Sequence, residues 1–468
     1  MAKRRRFLAA VTGGLSLAGC LRLEGGEGAT AEGTTVPGTD EPAPPSSAAP
    51  TTEAPTEEPT DEDPGSATAL SGTWRQFRGD AANTGRTTAA GPSASVEATW
   101  RSKPSDPVAA ISSPVVADGR AYVLADEGVL VALDGTDGSL VWSQQLPGDS
   151  DTVGSPAVVD GTVFVASLDG GTAYALNASS GAFEWQASID GGAFASPAVG
   201  DGVVYVASTT GVVHALDAAD GSERWRYETG GRTVLASPAL DDGSLYVAST
   251  TPNELPSGVD DLFDVLYYDQ FYRGGDVETE PHATAARLDA RAGLHVLDAS
   301  NGDVLGTQSF PHFVASTPAV AADALVVGCW DGNVYALERG SGAERWVAST
   351  GAPISASPAV GDGVVYCGTW NGSLHAFDAS TGSQEWFLPV GENVSSSPAV
   401  TDDAVYVTGR GGGLVAAGLD GGVRWRFDGA AGGFHPSSPA VVDGAVVVCG
   451  EGDNPDAADG VVFRLDAA

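Results

Sequence analysis

Eight Ser/Thr-Pro steps organise this chain, at Pro114, Pro156, Pro197, Pro238, Pro318, Pro358, Pro398 and Pro439. Their successive spacings are 42, 41, 41, 80, 40, 40 and 41 residues. One copy runs from Ile354 to Trp386 as ISASPAVGDGVVYCGTWNGSLHAFDASTGSQEW. Short runs of small and β-branched residues alternate there with Asp362-Gly363, Asn371-Gly372 and a third Gly-punctuated turn. Asp-Gly and Asn-Gly supply the positive φ that tight hairpins demand, and proline at the strand start needs no ladder donor. Each copy therefore reads as a four-stranded antiparallel meander. A period of about 40 residues with four strands per unit is the mark of a β-propeller, whose radial repetition leaves only short, protected edges.

Ring closure follows from the end of the pattern. In most repeats a Gly turn leads four residues later to Trp, as in SGAFEW, DGSERW and TGSQEW. The last copy stops at FRLDAA without that strand, whereas VEATWRS, with Trp100, stands unused near the other end. Pairing the two termini in one blade gives eight inner and eight outer strands, hence an all-β, eight-bladed propeller. The 80-residue gap is one blade carrying an insertion at 251–291, on the face shared by the loops after strands two and four. Within it, VDDLFDVLYYDQFYRGG has helical apolar spacing over about 260–273. The expected helix displays Leu262, Phe263, Leu266 and Tyr267 as a partner-binding element.

Ahead of the propeller, residues 1–19 read as an export signal: twin arginines within Lys3–Arg6, then an apolar run of about a dozen residues. A membrane-spanning helix needs roughly 20. Leu17-Ala18-Gly19-Cys20 resembles a lipobox, so Cys20 is the expected lipidation point. Two hydrocarbon chains there anchor stably, one only marginally. Residues 20–70 are rich in Thr, Pro and Glu, with little to bury, and read as a disordered tether.

Charge narrows the partners. The net charge of −38 becomes −42 once Lys3, Arg4, Arg5 and Arg6 leave with the signal. Nucleic acid and anionic membrane surfaces are poor partners for such a chain. The only lysines are Lys3 and Lys103, a balance resembling that of salt-adapted haloarchaeal proteins. Beyond Cys20, the cysteines Cys329, Cys367 and Cys449 lie in apolar strand runs and read as buried small hydrophobes.

LDAxxGxxxW, at Leu216–Trp225 and, with Phe first, at Phe377–Trp386, resembles the tryptophan-docking motif of quinoprotein (PQQ) propellers. The opening WRQFRGDAANTG, from Trp74, resembles the start of PQQ-like repeat proteins, among them the BamB assembly lipoproteins. This resemblance implies the fold over about 73–468 and leaves the activity open. Physically the Trp is a wedge between blades and needs no ligand.

Loops after strands two and four gather Arg232, His312, Phe313, Trp330, Trp370, Arg410, Phe434, His435 and Glu451 on one face, a composition suited to a binding funnel. Asn177, Asn371 and Asn393 open Asn-x-Ser sequons in loops. Three functions fit these features. The first is a monomeric, non-catalytic scaffold without cofactor, lipid-anchored on the outer face of the cytoplasmic membrane and bound to other extracytoplasmic or membrane proteins. The second is a dehydrogenase using PQQ and calcium, with Glu451 as base opposite Trp370 or Arg410. Adjacent cysteines and a Cys-x-x-Cys-His haem site are missing from the sequence, and no calcium ligands can be assigned from it. The third is a sugar-binding or lyase-like propeller. The first is the reading carried forward.

Overall fold

The computed structural model describes residues 68–468 except 104–111, 126–127, 148–153, 169, 233–235, 253–289, 322, 430–433, 435–436 and 452–459. Eight four-stranded antiparallel sheets succeed one another along the chain. Blade one spans 115–145, and blades two to seven follow at 157–188, 198–228, 239–310, 319–349, 359–389 and 399–427. Blade eight takes its three inner strands from 440–467 and its outer strand, Val96–Ser102, from the N-terminal side. That strand pairs with Gly460–Ala467 from Val96 opposite Ala467 to Ser102 opposite Val462. The expected closure through Trp100 is therefore the observed one, and the described residues contain no α-helix.

Hairpin chemistry explains the two turn types separately. At the turn between first and second strands, Asp118, Asp160, Asp201, Asp242 and Asp362 have φ of 45–51°, each followed by a Gly at 71–80°. Two consecutive left-handed residues make a type I′ turn, which Asp-Gly tolerates. At Asn371-Gly372 only Gly372 is left-handed, at 82°, so the Asn does not supply the positive φ expected of it. Its side-chain oxygen instead accepts a hydrogen bond from the Thr369 hydroxyl at 2.6 Å.

The docking motif acts between blades. A register shift in the last strand pair of each blade, such as between Ala215 and Leu216, sits beside the Trp and turns it outward. Trp185 Nε1 then donates to Ala218 O of the next blade at 2.9 Å. A Cβ on Gly221 would lie 2.6 Å from that indole. Within LDAxxGxxxW, the Ala carbonyl receives the preceding Trp, the Gly makes room for it, and the new Trp docks onward. Equivalent Nε1 bonds run from Trp100, Trp142, Trp225, Trp346 and Trp386, and Trp425 reaches Pro92 O. Blade four, with Gly306 in the Trp place, closes differently. A Cβ at Gly306 would be 2.5 Å from Ser341 O, so the next blade's backbone occupies the space an indole would need. Arg339 of blade five forms an ion pair across that junction with Asp241.

The Ser/Thr of each Ser/Thr-Pro step has its own task. Ser155 N–H donates to Ser196 Oγ, and the relay continues through Ser237, Thr317, Ser357, Ser397 and Ser438 to Ser113, every bond 2.8–3.0 Å. Seven of the eight hydroxyls thus satisfy a buried or part-buried backbone donor of the neighbouring blade, and the belt ties the inner strands together.

Inside this belt runs the segment that begins WRQFRGDAANTGRT. Its carbonyls and one side chain accept an inner-strand N–H from blade after blade. Trp74 bonds Val116, Arg75 bonds Val158, the Gln76 amide bonds Val199, Ala81 bonds Leu240, Ala82 bonds Val320, Thr84 bonds Val360 and Gly85 bonds Val400. Ala90 ends the circuit on Gly444 of blade eight. Arg78, only 1% exposed, donates from Nη1 to Pro398 O at 2.7 Å and from Nη2 to Pro358 O. Burial pulls the pKa of its guanidinium well below the ordinary arginine value, to about 9, which leaves it charged at neutral pH. The ion pairs of Arg86 with Asp362 and Asp402 place this collar at the end of the axis carrying the Asp-Gly turns.

Candidate functional site

The opposite end of the axis carries the loops after strands two and four. There blades five and six bring together part of the expected funnel. The His312 ring lies 4.5 Å from Phe313, Phe313 lies 4.3 Å from Trp330, and Trp330 lies 4.9 Å from Trp370. Backbone bonds fix the two tryptophans, Trp330 N–H to Phe313 O and Trp370 N–H to Pro353 O. Trp370 Nε1 donates to Ser355 Oγ at 2.8 Å. Beneath them the Cys329 thiol points at the carbonyls of His312 and Phe313, and burial raises its pKa far above the ordinary thiol value. The thiol is inert at neutral pH. Cys329, Cys367 and Cys449 are all free and buried.

Trp330 is 4% exposed, with Phe313 and Trp370 packed on it. It is a filler of the mouth wall, while Trp370, half-buried, meets solvent. A planar quinone needs an open aromatic face and a cation held beside it. Trp330 has no open face, and the described residues gather no group of three or more His, Cys, Asp or Glu side chains around a metal position.

Other expected members lie outside this aromatic cluster or outside the described residues. Arg232 exchanges backbone hydrogen bonds with Thr250, and Arg410 does so with Asn393 and Glu392, each pinning a loop of one blade to the next. Phe434 is fully buried against Phe427 and Phe463, 6.0 and 5.3 Å between rings. It belongs to the core of the closing blade and not to the funnel, packed in the same buried cluster as Val447, Val462 and Phe463. Glu451 is the last residue of a strand, its backbone paired with Gly460, and its side chain lies outside the described residues. His435 also lies outside them, as do Leu262, Phe263, Leu266, Tyr267 and the expected helix. The insertion springs from strands Ser244–Pro252 and Ala290–Asp298, whose pairing continues to Pro252 opposite Ala290, just inside the expected limits of 251–291.

The axial collar escaped the sequence reading, which saw WRQFRGDAANTG only as a family opening. Its signal was the presence of Arg78 and Asn83, polar residues outside the repeat in a turn-rich segment. Asn83, at φ 52°, donates to Pro238 O at 2.8 Å.

No curated protein sequence matches this chain. Among solved structures it is similar to BamB from Moraxella catarrhalis, at 15% identity and TM-score 0.59, covering 80% of this chain and 100% of that one. It is also similar to quinohemoprotein alcohol dehydrogenase ADHIIG from Pseudomonas putida HK5, at 16% identity and TM-score 0.64, covering 84% of this chain and 80% of that one. A europium-containing methanol dehydrogenase matches at 14% identity and TM-score 0.66, over 84% of this chain and 98% of that one. These likenesses establish the propeller fold, not an activity. The sequence profile described as outer membrane protein assembly factor BamB matches residues 88–193, 171–261 and 330–467, more than half of the chain, and the chain belongs to that family.

Proposed function

We propose that this chain is a non-catalytic interaction scaffold, working outside the cell on a membrane tether and helping other surface proteins to assemble. The observation that carries this reading is the collar. Residues 74–90 bond the inner edges of the blades around the ring, so one end of the axis is filled and the blades are held as a single platform. A platform of that kind offers its loops and rim to partners, and the family's description as an assembly factor agrees with such a use. Export by the twin-arginine route and lipidation of Cys20, motivated by residues 1–20, belong to the same proposal, as does a monomeric state. No helix among the described residues is long and apolar enough to cross a membrane.

Partner contact is proposed for the insertion, whose sequence carries the apolar residues Leu262, Phe263, Leu266 and Tyr267. Because its two ends are paired neighbours at Pro252 and Ala290, a short Gly-containing turn can replace residues 253–289 without disturbing the ladder. Capture of membrane proteins by the full chain at high salt is expected, and the shortened variant should stay folded yet capture none of them. Unchanged capture would move the contact surface elsewhere. A second reading, a dehydrogenase using PQQ and calcium, is favoured by the similarity to two dehydrogenase structures.

A further inference from the structure

We infer that Asn371 is an N-glycosylation site and that the other two sequons, at Asn177 and Asn393, stay bare. The inference rests on the export reading above: the twin-arginine route carries folded proteins, so a transferase outside the cell meets the sequons in their folded geometry.

That geometry separates the three. Asn177 lies in a turn where its Oδ1 accepts from the Ser179 N–H and hydroxyl and from the Ser180 N–H, while its Nδ2 donates to Glu184 Oε1 at 3.2 Å. Both ends of the amide, and the sequon hydroxyl itself, are already engaged. Asn393 is half-buried, its Oδ1 is enclosed, and its backbone is bridged to Arg410. The sequon then descends into the core through Val394, 0% exposed, and Ser395, 5% exposed. An enzyme reading that hydroxyl would have to pull a strand entry out of the sheet. Asn371 is different. It stands exposed at the tip of a hairpin, only its Oδ1 is held, by the Thr369 hydroxyl, and its Nδ2 has no protein partner among the described residues. Gly372 gives the tip its sharp left-handed bend at φ 82°, and Ser373 is partly exposed one residue beyond.

The chemistry is transfer of an oligosaccharide from a polyisoprenyl phosphate or diphosphate carrier. The Nδ2–C1 bond forms, the bond from C1 to the carrier phosphate oxygen breaks with its electron pair leaving on the phosphate, and the amide loses one proton. The product would set a glycan beside Trp370, over the aromatic run of the mouth.

Glycopeptide mass spectrometry on the full chain purified from the envelope of its own cells tests this. A glycan on the Asn371 peptide and none on those of Asn177 or Asn393 is expected. Asn371→Asp, which keeps the turn oxygen, and Ser373→Ala should each remove the glycan mass from the intact protein, and Asn177→Gln and Asn393→Gln should not. Envelope protein with a bare Asn371, or with sugar on either of the others, overturns the inference while leaving export intact. Unmodified protein confined to the cytoplasm overturns it together with the export reading.

Discussion

Trp185 and Gly221 show how little of each repeat is free to vary. Removing the indole should cost about 3–5 kcal/mol, since the cavity opens between blades and Ala218 O loses its donor. Gly221→Ala should cost about 1–2 kcal/mol from its φ of 73° alone, and more from collision with Trp185. In the double variant the collision is gone, so the two losses should fall short of additivity by about 1 kcal/mol or more in urea melts. Strict additivity would show that the Gly is kept for its backbone only. His375 gives a pH signature at the same scale. Its ring lies parallel to Phe377 at 6.0 Å and near-parallel to Phe387 at 6.0 Å, and burial holds its pKa below the ordinary 6.5. The unfolded imidazole then takes a proton at a pH where the folded one does not. Its contribution is complete above 6.5 and is lost as pH falls from there toward the folded value. Between about pH 7 and pH 5.5 the thermal midpoint should fall, and by less in His375→Phe. Equal slopes for both proteins would remove His375 as the cause.

Strands were legible because the period-two and turn signals agree within every copy. Asp-Gly sets the hairpin between strands one and two, and the unused VEATWRS marks the closing strand. That strand contributes the pairing of Val96–Ser102 and the Trp100 bond to Gly135 O at 3.1 Å. Deleting residues 96–102 should therefore lower the thermal midpoint far more than deleting residues 30–60, and equal midpoints would contradict the closure. The collar was not legible. Irregular backbone that bonds strand edges has no periodicity, and nothing in WRQFRGDAANTGRT announces that Arg78 will reach blades six and seven. Funnel membership was only partly readable for the same reason. Topology assigns a loop to a face, but whether Phe434 looks into the mouth or into the core depends on Phe427 and Phe463, which lie in strands outside that loop.

The propeller of residues 68–468 is a ring tied three ways: by tryptophans between blades, by the Ser/Thr belt near the axis, and by the collar that fills one end. Such a ring favours a fixed platform, and the family match and the structural similarities divide between an assembly factor and dehydrogenases of like fold. The scaffold account differs from the dehydrogenase account in one directly measurable respect. The full chain is incubated with PQQ and calcium, and reduction of an artificial electron acceptor is followed with alcohols and sugars as substrates. The scaffold account predicts a rate no greater than that of quinone and calcium without protein. Protein-dependent turnover that disappears in Glu451→Gln would contradict it.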